Sequence, residues 1–204
     1  DVEYFIRLFV AGLSRGSIYA LLALGYTMVY GIIQLINFAH GEIYMIGAFT
    51  ALLAAGVLGA AGLPALGLLV IVLLISMLWS AAYGFTVEKI AYRPLRGAPR
   101  LSVLISAIGM SIFLQNFVLL VQTPNFVPFP RIVPQLAVLD GLEGIINSAQ
   151  VFILTTTALI MLGLWLLISY TRIGKAMRAA SQDRTMARLV GVNVDRVVSV
   201  TFII

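Results

Sequence analysis

Residues 43–87 read IYMIGAFTALLAAGVLGAAGLPALGLLVIVLLISMLWSAAYGFTV, 45 positions without a single Asp, Glu, Lys, Arg or His. A helix that crosses a bilayer needs about 20 mostly apolar residues, so this run holds two crossings. Its turn-like punctuation is AGVLGAAGLP at 55–64. The run therefore predicts spans at about Ile43–Val57 and Pro64–Val87, joined by a tight uncharged connection. That pattern makes the chain an all-α, polytopic integral membrane helix bundle.

The whole composition agrees. Of 204 residues, 61% are hydrophobic and 10% charged, against roughly 45–50% and about 25% in soluble domains. Such a chain lacks the polar side chains to cover a soluble globule. An ordinary cytosolic domain, a disordered chain and a soluble nucleic-acid binder are excluded. The absence of cysteine excludes disulfides and thiolate chemistry, and one histidine argues against a multi-histidine metal site. No cofactor is expected on this chain.

Outward from the central run, further spans are expected at about Phe5–Gly31, Leu101–Val121 and Ile146–Tyr170, with a sixth beginning near Val197. That makes five to six in all. Arg7 and Arg15 in the first span must lie near an interface or face protein, because charge at a helix centre costs about 2.5–3.5 kcal/mol. The first residue is Asp1 and no cleavable signal peptide is recognisable. Val197–Ile204 is too short to span. The expectation is one transmembrane domain, 1–204, that is incomplete at its C-terminus.

The loops differ in charge. Residues 88–100 carry Lys89, Arg93, Arg96 and Arg100 against Glu88, a net of +3. Residues 171–196 carry six bases against Asp183 and Asp195, a net of +4. Residues 122–145 carry Arg131 against Asp140 and Glu143, a net of −1. The positive-inside rule puts the two basic loops in the cytoplasm and the third outside. Two spans separate the basic loops, so parity agrees. The outer loop holds Pro124, Pro128, Pro130 and Pro134, which favour an extended path.

Four segments carry functional information. The first, Tyr30–Glu42, is too apolar for a water-exposed loop, yet holds Gln34, Asn37, His40 and Glu42. A helix interrupted near residues 32–42 would set Asn37 or His40 at the start of the next helix. Glu42 would then lie in its first turn, against the positive end of the dipole. Such breaks commonly line transport pathways; an ordinary inward loop is the alternative. In the second, Ser102, Ser106 and Gly109 share a face suited to close packing. Gln115 and Asn116 follow near mid-span, as interhelical glue or as contacts to a polar permeant. In the third, Thr171–Gly191, Ser181 or Asp183 can cap a short helix that Gly191 ends. Arg184 and Arg188 share one face of it, and Met186, Leu189 and Val190 give an apolar side. A docking helix for a cytoplasmic partner is expected, the alternative being a loop that sets topology or touches anionic lipid. In the fourth, Gly12-Leu13-Ser14-Arg15-Gly16 matches the loose G-x-S-x-G pattern of serine hydrolases. Gly12, Gly16 and Ala20 are more simply a small face for helix packing.

The stretches Gly16–Gly31 and Ile36–Ala48, with Asn37-Phe38-Ala39-His40-Gly41-Glu42 inside the second, resemble the permease subunits of bacterial ABC importers for branched-chain amino acids. Ile108–Asn116 and Thr171–Asn193 are similar too. The resemblance implies a multi-pass permease of the bacterial inner membrane, embedded in lipid and binding no nucleic acid. It implies a second, related permease subunit, two cytoplasmic ATP-binding subunits, and an external solute-binding protein that delivers the amino acid. It implies further spans after residue 204, and makes the Thr171–Gly191 loop the element that couples to the ATPase. The candidate pathway residues are then Gln34, Asn37, His40, Gly41, Glu42, Gln115 and Asn116. The candidate coupling residues are Gly174, Arg178, Asp183, Arg184, Arg188 and Gly191.

The sequence holds no G-x-x-x-x-G-K-[ST] phosphate loop, so ATP is expected on the partner subunits. The chain itself is not expected to be an enzyme. Alternating access is the expected mechanism. A related permease for urea or a sugar would share this architecture. The rival readings are a proton-coupled transporter that uses His40 and Glu42 as a relay, and a scaffold or receptor subunit.

Overall fold

A computed structural model describes residues 2–60, 62–122, 125, 127–130, 132, 133 and 146–204. Pro124, Pro134, Arg131, Asp140 and Glu143 of the Pro-rich 122–145 loop lie outside the described residues.

The chain forms α1 (Val2–Ile33), α2 (His40–Gly59), α3 (Ala65–Val87), α4 (Arg100–Val121), α5 (Ser148–Tyr170), α6 (Arg172–Gln182), α7 (Arg184–Leu189) and α8 (Val194–Ile203). Among the described residues, α1 to α5 are long and apolar enough to cross a membrane. Where a sixth span was expected to begin, near Val197, the chain is helical: α8 covers Val194–Ile203 and buries Val194, Val197, Val198, Thr201 and Phe202. The 55–64 punctuation does form the α2–α3 turn, with Gly62 at φ +69°. At 1.5 Å per residue, the 32 residues of α1 run about 48 Å. A hydrocarbon core of about 30 Å measured back from Ile33 ends near Ser14. Arg7 and Arg15, both exposed, then sit beyond and at the far interface.

Two irregular stretches interrupt the helices. The expected break falls at residues 34–39, between α1 and α2, with Gln34 in a left-handed conformation (φ +55°). The other was not legible beforehand: α3 runs on through a π-helical turn, Glu88–Tyr92, and a 3-10 turn, Arg93–Leu95.

α1 packs on α5, α6 and α8, whereas α2 packs on α3 and α4. Contact of α3 with α8 ties the two groups together. The main core lies at one end of the bundle, where Ile32, Ile33, Tyr92, Met177, Val198 and Phe202 meet. Both basic stretches and the 34–39 break share that Arg-rich end, as the loop parity required. The bodies of the spans are mostly exposed apolar surface, including Leu74, Leu78, Ile112 and Leu159, which a bilayer tolerates because lipid is as apolar as the side chains.

Glycines mark where backbones touch. A Cβ on Gly84 of α3 would strike the Phe202 carbonyl of α8, whereas one on Gly163 of α5 would enter open space. Gly12 and Gly16, expected to pack closely, also face open space here. Gly84→Ala should therefore destabilise the detergent-solubilised protein by about 1–3 kcal/mol, the range for overpacking. Gly163→Ala should be neutral or slightly stabilising, and comparison of thermal unfolding midpoints checks the pair.

Candidate functional site

The divergence of α1 and α2 leaves a cavity of about 490 Å³ between the two helix groups. Its walls are chiefly aliphatic, with Leu22 and Val29 from α1, Ile160 and Leu164 from α5, and Phe202 from α8. A few polar groups interrupt them: Asn37, His40, Tyr44, Ser76, Ser80 and Thr201. A mostly apolar chamber with few placed polar groups is the usual form of a small-molecule site. The pair Ser76 and Ser80 sits on one face of α3 against Gly47 of α2. Ser76 Oγ donates to the Gly47 carbonyl at 2.7 Å, and a Cβ on Gly47 would come within 2.5 Å of Ser80 Oγ.

His40 opens α2 and turns towards α1. Its ring meets Tyr26 edge-on with centroids 6.0 Å apart. A Cβ on Gly25 would lie 2.9 Å from His40 Cε1, so the absence of a side chain there admits the imidazole. Glu42 faces elsewhere: its carboxylate accepts Ser111 Oγ of α4 at 3.2 Å. Residues two apart on a helix do not face each other, which removes the geometry of a His40–Glu42 relay. Ser14, the serine of the hydrolase-like pattern, lies eleven residues before Gly25 in α1, about 16 Å along the axis and far from His40.

Asn37 holds the break. Its side chain accepts the Ala39 amide at 3.1 Å and its carbonyl accepts the His40 amide at 3.2 Å. Tyr92 of the π turn, itself buried, donates to Asn37 Oδ1 at 3.1 Å. On the same turn Glu88 is fully buried and pairs with Arg96, while Ser199 Oγ of α8 donates to it at 3.0 Å. Arg96 also pairs with Asp195, and Arg188 of α7 lies 3.9 Å from Asp195. A buried charge persists only when paired, so this network pins the π turn, α8 and α7 beside the break.

The 171–196 segment folds as its punctuation requires. Asp183 caps α7, accepting the Thr185 and Met186 amides at 2.7 and 3.1 Å; Ser181, the other candidate cap, lies inside α6. Gly191 at φ +87° ends α7. The Gly191 and Val192 amides donate to the Arg188 and Ala187 carbonyls at 3.0 and 2.9 Å, a Schellman pattern. Gly174 lies against the Leu167 and Ile168 carbonyls of α5, leaving no room for a Cβ. Arg178 donates to the Ile168 carbonyl and, at 3.3 Å, to that of Ser169.

Arg184 and Arg188 both border the polar cavity at this end but differ in exposure and bonding. Arg184 is half-buried, and its Nε donates to the Ile32 carbonyl at the end of α1 at 2.9 Å. Burial, and then Arg188, Arg96 and Arg100 nearby, hold its pKa below the usual guanidinium value. Arg188, Met186, Leu189 and Val190 are exposed.

The pathway candidates therefore scatter. Asn37 and His40 reach the large cavity. Gln34 lines a second, polar cavity, and Glu42 lies at the α2–α4 contact. Gly41 has open space around it. Gln115 and Asn116 are exposed on α4, where Asn116 Nδ2 donates to its own helix at the Ile112 carbonyl, 2.8 Å away. Ser106 of the small face donates to the Ala91 carbonyl of the π turn at 3.0 Å. Sequence reasoning missed Glu88, Tyr92, Arg96 and Asp195 as one unit, and Ser76 and Ser80 as cavity wall. The one available signal was a lone carboxylate closing an otherwise uncharged run.

Five spans, four of which border a cavity together with α8, and a basic end bearing an exposed helix define a multi-pass helical membrane protein built about a cavity. The chain belongs to the family described as branched-chain amino acid transport system / permease component, whose model matches residues 8–204. It is 44% identical over 208 residues to the high-affinity branched-chain amino acid transport system permease protein BraD of Pseudomonas aeruginosa, covering 100% of this chain and 68% of that protein. It is also 44% identical over 205 residues to the permease protein LivH of the corresponding system in Escherichia coli K12 and in Salmonella typhimurium. Those matches cover 98% of this chain and 67% of each relative. No solved structure matches.

The network can be ranked by substitution. Glu88→Ala would leave Arg96 with only the half-exposed Asp195 and should cost about 3 kcal/mol, the low end for breaking a buried pair. Tyr92→Phe removes one hydrogen bond and should cost about 1 kcal/mol. Denaturant unfolding in micelles checks the order.

Proposed function

We propose that this chain is the membrane permease subunit of an ATP-driven importer that carries branched-chain amino acids across the bacterial inner membrane. The match to the permease family over residues 8–204 carries the reading, and the chamber supports it. Aliphatic walls suit the side chain of leucine, isoleucine or valine. The Asn37, Ser76 and Ser80 groups offer hydrogen bonds to the zwitterionic end.

In this reading a second permease subunit completes the pathway, two cytoplasmic ATPase subunits supply the energy, and an external binding protein delivers substrate. The basic loops face the cytoplasm. The exposed Met186, Leu189 and Val190, with Arg188, meet the ATPase. Arg184 instead transmits movement, through its bond to the end of α1. Because the break, the π turn, α7 and the start of α8 are bonded together, displacement of α7 moves them as one body. The chamber then changes access at the Asn37–His40 wall.

Labelled leucine uptake by the reconstituted complex tests this. Uptake should need ATP inside the vesicles and survive collapse of the proton gradient. Uptake that follows the gradient, or valine failing to compete while urea or a sugar does, would contradict it. Leu189→Glu should abolish co-purification of the ATPase subunits. Arg184→Gln should leave co-purification intact and reduce uptake at least about tenfold, the loss of one charged hydrogen bond.

A further inference from the structure

We propose that the polar cavity at the Arg-rich end binds the phosphate group of an anion. The cavity holds about 210 Å³ and lies between the 34–39 break, the start of α4, α7 and α8. That volume admits a phosphate group and is too small to enclose a nucleotide. Arg96, Arg100, Arg184 and Arg188 line it, with Asp195 as the acid among its lining residues.

The arginines are unequally committed. Arg96 is held by both Glu88 and Asp195. Arg188 reaches only an Asp195 already taken by Arg96, at 3.9 Å. Arg184 uses its Nε on the Ile32 carbonyl, which leaves both terminal nitrogens to donate. Arg100 makes no hydrogen bond or ion pair among the described residues. Four guanidinium groups against Glu88 and Asp195 leave an excess of two positive charges around one small space. The pKa of Arg184 is depressed first by burial and then by the three other arginines, and a bound anion would relieve the second of these.

Guanidinium forks recognise phosphate by paired, charge-assisted hydrogen bonds. Arg100 adds the start of α4, whose first turn holds no acidic residue and receives no side-chain cap among the described residues. A phosphate here comes either from solution or from a lipid headgroup. The lipid source is favoured by position, since Leu101 and Ile105 follow Arg100 as exposed apolar residues on α4 and offer a path for acyl chains. The end carrying the cavity is also the one that the positive-inside rule sets towards the anionic cytoplasmic leaflet.

The test uses the intact transporter complex and reads binding, so that it stands apart from transport. Thermal midpoints would be measured in nanodiscs of pure phosphatidylcholine, in nanodiscs with added phosphatidylglycerol, and in phosphatidylcholine with added inorganic phosphate. Phosphatidylglycerol should raise the midpoint of the unsubstituted protein by several degrees. Arg100→Glu should weaken that binding at least about tenfold, and Arg100→Lys should retain part of it. Arg100 makes no side-chain hydrogen bond or ion pair among the described residues, so in phosphatidylcholine alone Arg100→Lys should match the unsubstituted midpoint and Arg100→Glu, which relieves the crowding of the arginines, should fall no lower than it. Stabilisation by inorganic phosphate but not by phosphatidylglycerol, lost in Arg100→Glu, would assign the site to a free anion. Stabilisation by neither, or by an amount that Arg100→Glu does not change, would overturn the proposal.

Discussion

The carboxylate of Glu88 is fully buried where the apolar run of α3 ends, and it cannot stay charged there without partners. Arg96 and Ser199 meet that need, and Arg96 in turn recruits Asp195. These contacts bring together residues about a hundred positions apart in sequence. They fix the π turn against the start of α8, and the π turn then presents Tyr92 to Asn37 at the break between α1 and α2. The order of the whole Arg-rich end follows from satisfying one acid.

This concentration of order at one end has a physical basis. Along the spans the apolar faces gain little by packing on one another when lipid is the alternative, and much of their surface stays exposed. Where the chain leaves the membrane, unpaired carbonyls, charges and irregular backbone must all find partners. Arg184 closes the end of α1, Arg178 the end of α5, and Asp183 the start of α7. The residues that join the membrane part to α7 are therefore those that satisfy these exits. A force applied at α7 reaches the chamber through bonds that also hold the fold together.

The span count was legible because an uncharged run of 45 residues admits little else, and the α7 boundaries because Asp183 and Gly191 are local signals with local partners. The break at 34–39 was legible for the same reason. Directions were not. A span that is apolar all round carries no periodic mark of its inward face, so the sequence did not tell which side of α4 Gln115 and Asn116 occupy, and both lie on its exposed side in this chain. His40 and Glu42 lie close in sequence and read as a pair, but helical geometry turns them to different neighbours. Arg184 and Arg188 share a helical spacing, yet the Ile32 carbonyl draws one inward. The π turn has no local signature, since it exists to place Glu88 and Tyr92 against distant partners.

In the proposed mechanism the break, the π turn, α7 and the start of α8 move as one body when nucleotide binds. The chain has no cysteine, so Thr185→Cys in α7 and Phe38→Cys in the break, both at exposed positions, give two unique labelling sites within it. Pulsed electron paramagnetic resonance would measure their separation in the intact complex, without nucleotide and with ATP trapped, after the labelled complex has been shown to hydrolyse ATP. The same separation is expected in both states. A separation that changes by several ångström on trapping would show that α7 moves independently of the break and would contradict it.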